Sequence, residues 1–154
     1  MAITPVNKYF VINGELKSIR HFDSAKNEGG IYEVLRVIDG VPLFLEDHLA
    51  RLFHSAELSG KSIDYTQEEI NDDLVSLIKK NKVRVGNILV SYKSNLEAFF
   101  IQHNYPKSDV YNNGITCGIL KAERVNPNAK VLHTTVRNRA DQLLEEKKYF
   151  EVIL

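Results

Sequence analysis

The sequence predicts an α+β fold: a small antiparallel or mixed sheet packed with two helices, followed by the start of a second domain. Three observations lead there. Strand-like runs divided by Asn13-Gly14 and Asp39-Gly40 fill the front of the chain, two segments with helical apolar spacing follow, and strand-like runs then return. Strands, then helices, then strands favour an α+β domain over a doubly wound sheet. The length of 154 residues suits one ordinary domain, or one domain and a piece of another. An apolar share of 44% and a charged share of 26% are those of a soluble globular protein.

The elements follow in order. YFVING and ELKSI form a hairpin turning at Asn13-Gly14, a dipeptide suited to positive φ. IYEVLRVIDGVPLF repeats the pattern around Asp39-Gly40. In its first run Ile31, Glu33, Leu35 and Val37 alternate with Tyr32, Val34, Arg36 and Ile38. The second set carries Tyr32 and Arg36 on one face, which makes that face the candidate site. Leu45, Leu49, Leu52, Phe53 and Ala56 then recur at helical spacing, with Glu46 and Asp47 in the first turn and Gly60 at the end. A second helix starts at Thr66, with Glu69 completing a capping box, and buries Ile70, Leu74, Leu77 and Ile78. NILVSY and EAFFIQH read as strands. NYPKSDVYNNG reads as a turn-rich connection into a further strand, ITCGIL.

Beyond Lys121 the character changes, so residues 1–121 are read as one domain, 122–130 as a linker, and 131–154 as the start of an incomplete second domain. A third helix is expected from Leu132 to about Lys148, burying Leu132, Val136, Ala140, Leu143 and Leu144. YFEVIL then begins a strand at which the sequence stops, so the chain is expected to be a fragment.

Several function classes are disfavoured by composition. Twenty basic and twenty acidic side chains cancel, so neither nucleic acid nor a membrane surface is an expected partner. The cluster Lys79-Lys80-Asn81-Lys82 reads as a solvated helix end. A single cysteine, Cys117, fits a reducing compartment and is expected to be a small buried side chain. The histidines, His21, His48, His54, His103 and His133, lack metal-ligand spacing, so no metal is expected. No leader or spanning run is seen, and a cytoplasmic protein is expected.

Read alone, Lys130 is a solvated loop lysine, Arg51 an ion-paired helix residue, and Tyr32 a tyrosine packed at a strand edge. Three segments in order change that reading. They are EGGIYEVLRVIDGVPLFLEDHLARLFHSAELSG with its His48-x-x-Arg51-Leu52 motif, GITCGILKAERVNPNAK with Arg124 and Lys130, and the helix leading to FEVIL. Together they resemble the N-terminal portion of class IV aminotransferases. That pyridoxal-phosphate group, fold type IV, holds D-amino-acid and branched-chain aminotransferases and 4-amino-4-deoxychorismate lyases.

The resemblance implies roles. Lys130 matches the lysine that forms an imine with pyridoxal 5'-phosphate and then carries the proton at the substrate α-carbon. Arg51 matches the arginine that binds the cofactor phosphate, where a guanidinium fork suits a dianion. Tyr32 matches a substrate-facing tyrosine, and Arg36 on the same face is a candidate for the substrate carboxylate. Arg124 is read as a brace of the loop.

The chain also departs from the family. The Arg-x-His carboxylate trap of the D-amino-acid enzymes is not found near NILVSYKS, and His133 replaces an asparagine that often follows the catalytic lysine. Residues 131–154 are expected to hold only the start of the family's second domain. The expected activity is that of an aminotransferase or aminodeoxychorismate lyase-like homodimer acting on an amino substrate and keto acid, with this chain inactive alone. The alternative is a non-catalytic α+β module for dimerisation or small-molecule binding.

Overall fold

Two tight turns shape the front of the chain. Asn13 and Gly14 take left-handed angles (φ 51° and 79°) between β1 (Tyr9–Ile12) and β2 (Glu15–Ser18). Asp39 and Gly40 do the same (φ 52° and 81°) between β3 (Ile31–Ile38) and β4 (Val41–Pro42). Positive φ at both central residues matches the twist of antiparallel strands, and Asn-Gly and Asp-Gly tolerate it. These details come from a computed structural model that describes residues 3–23, 29–103, 105–124, 126–132 and 135–154.

The helices follow as the apolar spacing predicts. α1 (Leu45–Leu58) buries Leu45, Leu49, Leu52 and Ala56. In α2 (Gln67–Asn81) the Thr66 hydroxyl accepts from the Glu69 amide (3.1 Å), while the Glu69 carboxylate accepts from the Thr66 amide (2.8 Å). That reciprocal pair satisfies donors the first turn would otherwise leave open. Asn81 ends α2 by bridging to β1: its Oδ1 accepts from Tyr9 N (3.1 Å) and its Nδ2 donates to Tyr9 O (3.0 Å).

β5 (Gly86–Tyr92) and β6 (Leu96–Ile101) complete a six-stranded antiparallel sheet, order β2-β1-β6-β5-β3-β4. The strand alternation sorts its side chains into two clusters. Ile31, Leu35, Ile88, Val90, Ala98 and Phe100 pack with α1 and α2. Phe10, Leu89, Phe99 and Leu132 gather with Phe22, Tyr32 and Val34 in a smaller cluster on the other face. Both faces of β5 and β6 are therefore buried, which explains their nearly continuous apolar character.

The chain divides into two compact units, Met1–His103 with Asn128–Leu132, and Asn104–Pro127 with His133–Leu154. In the second, β7 (Cys117–Ile119) and β8 (Glu151–Ile153) pair in parallel, and α4 (Thr135–Lys147) precedes β8. Three expectations change here. The connection read as turn-rich holds a short helix, α3 (Ser108–Asn113), with Asp109 in its first turn and Gly114 (φ 75°) at its end. Cys117 is exposed rather than buried. Alternation along β7 turns Gly118 inward under the Tyr149 ring and leaves Cys117 and Ile119 outside. Among the described residues of α4 only Ala140 is buried, whereas Val136, Leu143 and Leu144 are half-buried. Leu132 is buried in the first unit instead. The helix expected from Leu132 is seen from Thr135, and positions 133–134, with His133 among them, lie outside the described residues.

Candidate active site

β5 occupies one edge of β3 along most of its length, and β4 pairs with the other edge only at Val37 and Ile38. The open start of that second edge is taken by residues 130–132. Ile31 bridges Val131, Tyr32 N donates to Lys130 O (2.9 Å), and Leu132 N donates to Gly30 O (2.8 Å). The Lys130 amide also donates to the Ser55 hydroxyl on α1 (3.3 Å). Lys130 is thus fixed at a sheet edge through its own backbone, and its side chain can meet residues from both faces. Its Nζ lies 3.4 Å from Glu33 Oε2 and 5.0 Å from the Tyr32 ring centroid, although Glu33 and Tyr32 leave β3 on opposite faces.

Glu33 is the centre of the cluster. It is fully buried, on the same face as Ile31 and Leu35. α1 presents His48, Arg51 and Ser55 toward this end of the strand from positions spaced three and four apart, which share one helix face. Arg51 grips the carboxylate with two bonds, Nε to Oε1 (2.6 Å) and Nη2 to Oε2 (2.5 Å). His48 Nδ1 lies 3.0 Å from Oε2, and Arg51 Nη2 lies 3.3 Å from that same ring nitrogen.

These partners decide the charge of the buried carboxylate. Burial alone pushes its pKa up. Bonds from Arg51 and His48, with the charges of Lys130 and Arg51, outweigh it and hold Glu33 below the ordinary carboxylate range. The bond to Glu33 likewise raises the Arg51 pKa, against the opposing effect of burial. With Lys130 as ammonium, two cations face one carboxylate, so the cluster carries a surplus positive charge. Arg51 is half exposed, with a side-chain accessibility of 51%. This donor set fits an anionic group such as a phosphate, with a lysine amine beside it.

The structure brings together three of the residues predicted from sequence, Tyr32, Arg51 and Lys130. Arg36 lies apart. It stands four residues from Tyr32, about 13 Å along an extended strand, and its Nη1 donates to Asn87 Oδ1 (3.3 Å). The residue that sequence reasoning misses is Glu33. Its signal is a carboxylate among the buried apolar positions of β3, because a buried charge needs partners. Among the described residues there is no cluster of three or more metal-ligating side chains, and no helix long and apolar enough to cross a membrane.

Known proteins share this sequence pattern and fold. D-alanine aminotransferase of Bacillus licheniformis is 34% identical over 59 residues, 38% of this chain and 21% of that protein. The structure of a T.th. branched-chain amino acid aminotransferase superposes with a TM-score of 0.81 at 15% identity, covering 98% of this chain and 60% of that one. A structure provisionally assigned as a 4-amino-4-deoxychorismate lyase superposes with a TM-score of 0.71 at 22% identity, covering 84% of this chain and 54% of its own. At those identities the superpositions establish the fold. This chain spans less than two thirds of the length of each relative. Residues 30–154 match the family described as amino-transferase class IV, and the chain belongs to that family.

Proposed function

We propose that these residues serve a pyridoxal-phosphate enzyme acting on amino acids or related amines, as an aminotransferase or an aminodeoxychorismate lyase-like enzyme. The observation that carries the reading is the meeting of Arg51 and Lys130 on Glu33, with the Tyr32 ring 5.0 Å from Lys130 Nζ, within the family to which the chain belongs. The T.th. aminotransferase structure contains pyridoxamine 5'-phosphate, which supports the same class of cofactor here. The chain covers 60% of that structure, so the proposal concerns what these residues do rather than turnover by this chain alone.

The cofactor, when bound, supplies an aldehyde for an amine and a ring that takes up electron density from the substrate α-carbon. Arg51 is oriented by Glu33 through Nε and Nη2, and its exposed part is proposed to bind phosphate. Lys130 is the proposed covalent anchor through Nζ and, once displaced, the base that takes and returns the α-proton. Its backbone bonds to Tyr32 and Ser55 hold the root of that side chain. Tyr32 lines the approach to Nζ, and Arg36, farther along the same face, is proposed for a substrate carboxylate. Self-association as a homodimer belongs to the same reading.

Titration with pyridoxal phosphate, followed by absorbance, tests the phosphate reading. Arg51→Ala should weaken binding by about 1.5–3 kcal/mol, the scale of a hydrogen bond to a charged group, while binding of pyridoxal without phosphate stays unchanged. Equal affinity of wild type and variant for the phosphate form would return Arg51 to a structural role. In a turnover assay of a longer protein that carries these residues, transfer of the amino group to a keto acid separates the aminotransferase from a lyase that releases pyruvate.

A further inference from the structure

Glu33 Oε2 is shared by three groups: Arg51 Nη2 at 2.5 Å, His48 Nδ1 at 3.0 Å and Lys130 Nζ at 3.4 Å. We propose that Lys130, Glu33 and His48 form a proton path from the lysine amine to solvent, with His48 as its outer member. The proposal rests on the reading of Lys130 as the proton-carrying lysine, and it gives His48 a role beyond holding Glu33 in place.

The ring of His48 is placed to work in both neutral forms. Its Nδ1 has an acceptor, Glu33 Oε2, at 3.0 Å and a donor, Arg51 Nη2, at 3.3 Å. With the proton on Nδ1 the ring donates to Glu33; with the proton on Nε2 it accepts from Arg51. In the Nε2 form the Nδ1 lone pair also faces Oε2 at 3.0 Å, an acceptor opposite an acceptor, which favours uptake of a proton at Nδ1 without the ring turning. Exposure supports the direction of the path. Glu33 is closed to water, whereas the His48 side chain is 21% exposed. Lys130 is 32% exposed, and a ligand seated over Nζ would cover that part while Oε2 stays 3.4 Å from the amine.

The step balances. It begins with Lys130 as ammonium, Glu33 as carboxylate, and His48 protonated on Nε2. One N–H bond at Nζ breaks, the proton passes over Oε2, and an N–H bond forms at Nδ1, leaving a neutral amine and an imidazolium. The imidazolium then releases its Nε2 proton to water and returns to a neutral ring donating from Nδ1 to Oε2. Glu33 ends as the carboxylate it was at the start, a state its partners favour. The net change is one proton moved from Lys130 to solvent, which frees the lone pair that a lysine nucleophile requires.

The groups facing His48 across these contacts are Glu33 from β3, Arg51 from α1 and, through Oε2, Lys130. The test is the titration of the His48 ring by nitrogen NMR in the full chain, wild type against Lys130→Met. Removing the ammonium leaves Oε2 to the imidazolium, so the His48 midpoint should move upward. Glu33→Gln should move it the other way. An unchanged midpoint in Lys130→Met, with the amide spectrum preserved, overturns the path whether or not Glu33→Gln folds. Borohydride reduction with pyridoxal phosphate separates this inference from the functional reading. A shifted midpoint with no pyridoxyl group on Lys130 would remove the cofactor role and leave the proton path.

Discussion

Removing the Arg51 side chain tests how the buried carboxylate is held. Arg51 donates two charged bonds to Glu33, at 2.6 and 2.5 Å, and Glu33 has no exposed surface through which water could replace them. A hydrogen bond to a charged group contributes roughly 1.5–3 kcal/mol net. Arg51 itself is half exposed, so solvent screening and side-chain entropy reduce that contribution. His48 and Lys130 stay beside the carboxylate, which keeps the loss below the roughly 3–5 kcal/mol of a wholly abandoned buried ion. Arg51→Ala should therefore cost about 2 kcal/mol near neutral pH, or roughly 4–8 °C in Tm for a chain of this size.

The pH dependence supplies a sharper check. Glu33 has a lower pKa folded than unfolded. Its stabilisation is thus fully present above the ordinary carboxylate range and is lost as pH falls through the depressed folded value. Arg51→Ala lessens that depression, so the two stability curves should lie farthest apart near neutrality and converge in acid. Urea unfolding followed by circular dichroism, at a series of pH values, measures both quantities. A loss under about 0.5 kcal/mol, within the range of ordinary surface substitutions, or a gap that stays constant into acid, would refute the reasoning.

Other parts of the fold make separate predictions. Thr66→Ala removes the capping box of α2 and should cost about 1 kcal/mol, with faster amide exchange at Glu69. Asn81→Ala takes the bonds from both Tyr9 N and Tyr9 O and should cost about 2 kcal/mol, with the Tyr9 amide exchanging early. Gly118→Ala would place a Cβ 2.6 Å from the Tyr149 ring. It should destabilise the β7–β8 pair by about 1–3 kcal/mol, and Tyr149→Ala should recover much of that loss in thermal unfolding of the double variant.

Much of the first unit is legible because its signals are local. Asn13-Gly14 and Asp39-Gly40 announce their own backbone angles, and Thr66 with Glu69 announces a helix start. α3 escapes notice because a polar helix of six residues has no apolar period to reveal it. Cys117 is misjudged because GITCGIL is apolar in composition, while its exposure depends on which side of a three-residue strand faces Tyr149. Arg51 and Lys130 come from family resemblance rather than from periodicity, whereas Tyr32 is marked by strand alternation and by the resemblance together. Glu33 falls among the apolar positions of β3 and is passed over as a functional residue. Its partnership with Lys130 joins residues 97 apart in sequence, and no local pattern encodes a contact of that range.

The central claim is that Lys130 is the cofactor lysine, and the most direct measurement is the position of the pyridoxyl group. The full chain is incubated with pyridoxal phosphate, reduced with borohydride, digested and mapped by peptide mass spectrometry. The account predicts label concentrated on Lys130 over the surface lysines, and label at that position reduced by Arg51→Ala and by competing inorganic phosphate. Label spread evenly over exposed lysines, or concentrated on another lysine and indifferent to Arg51, would contradict it.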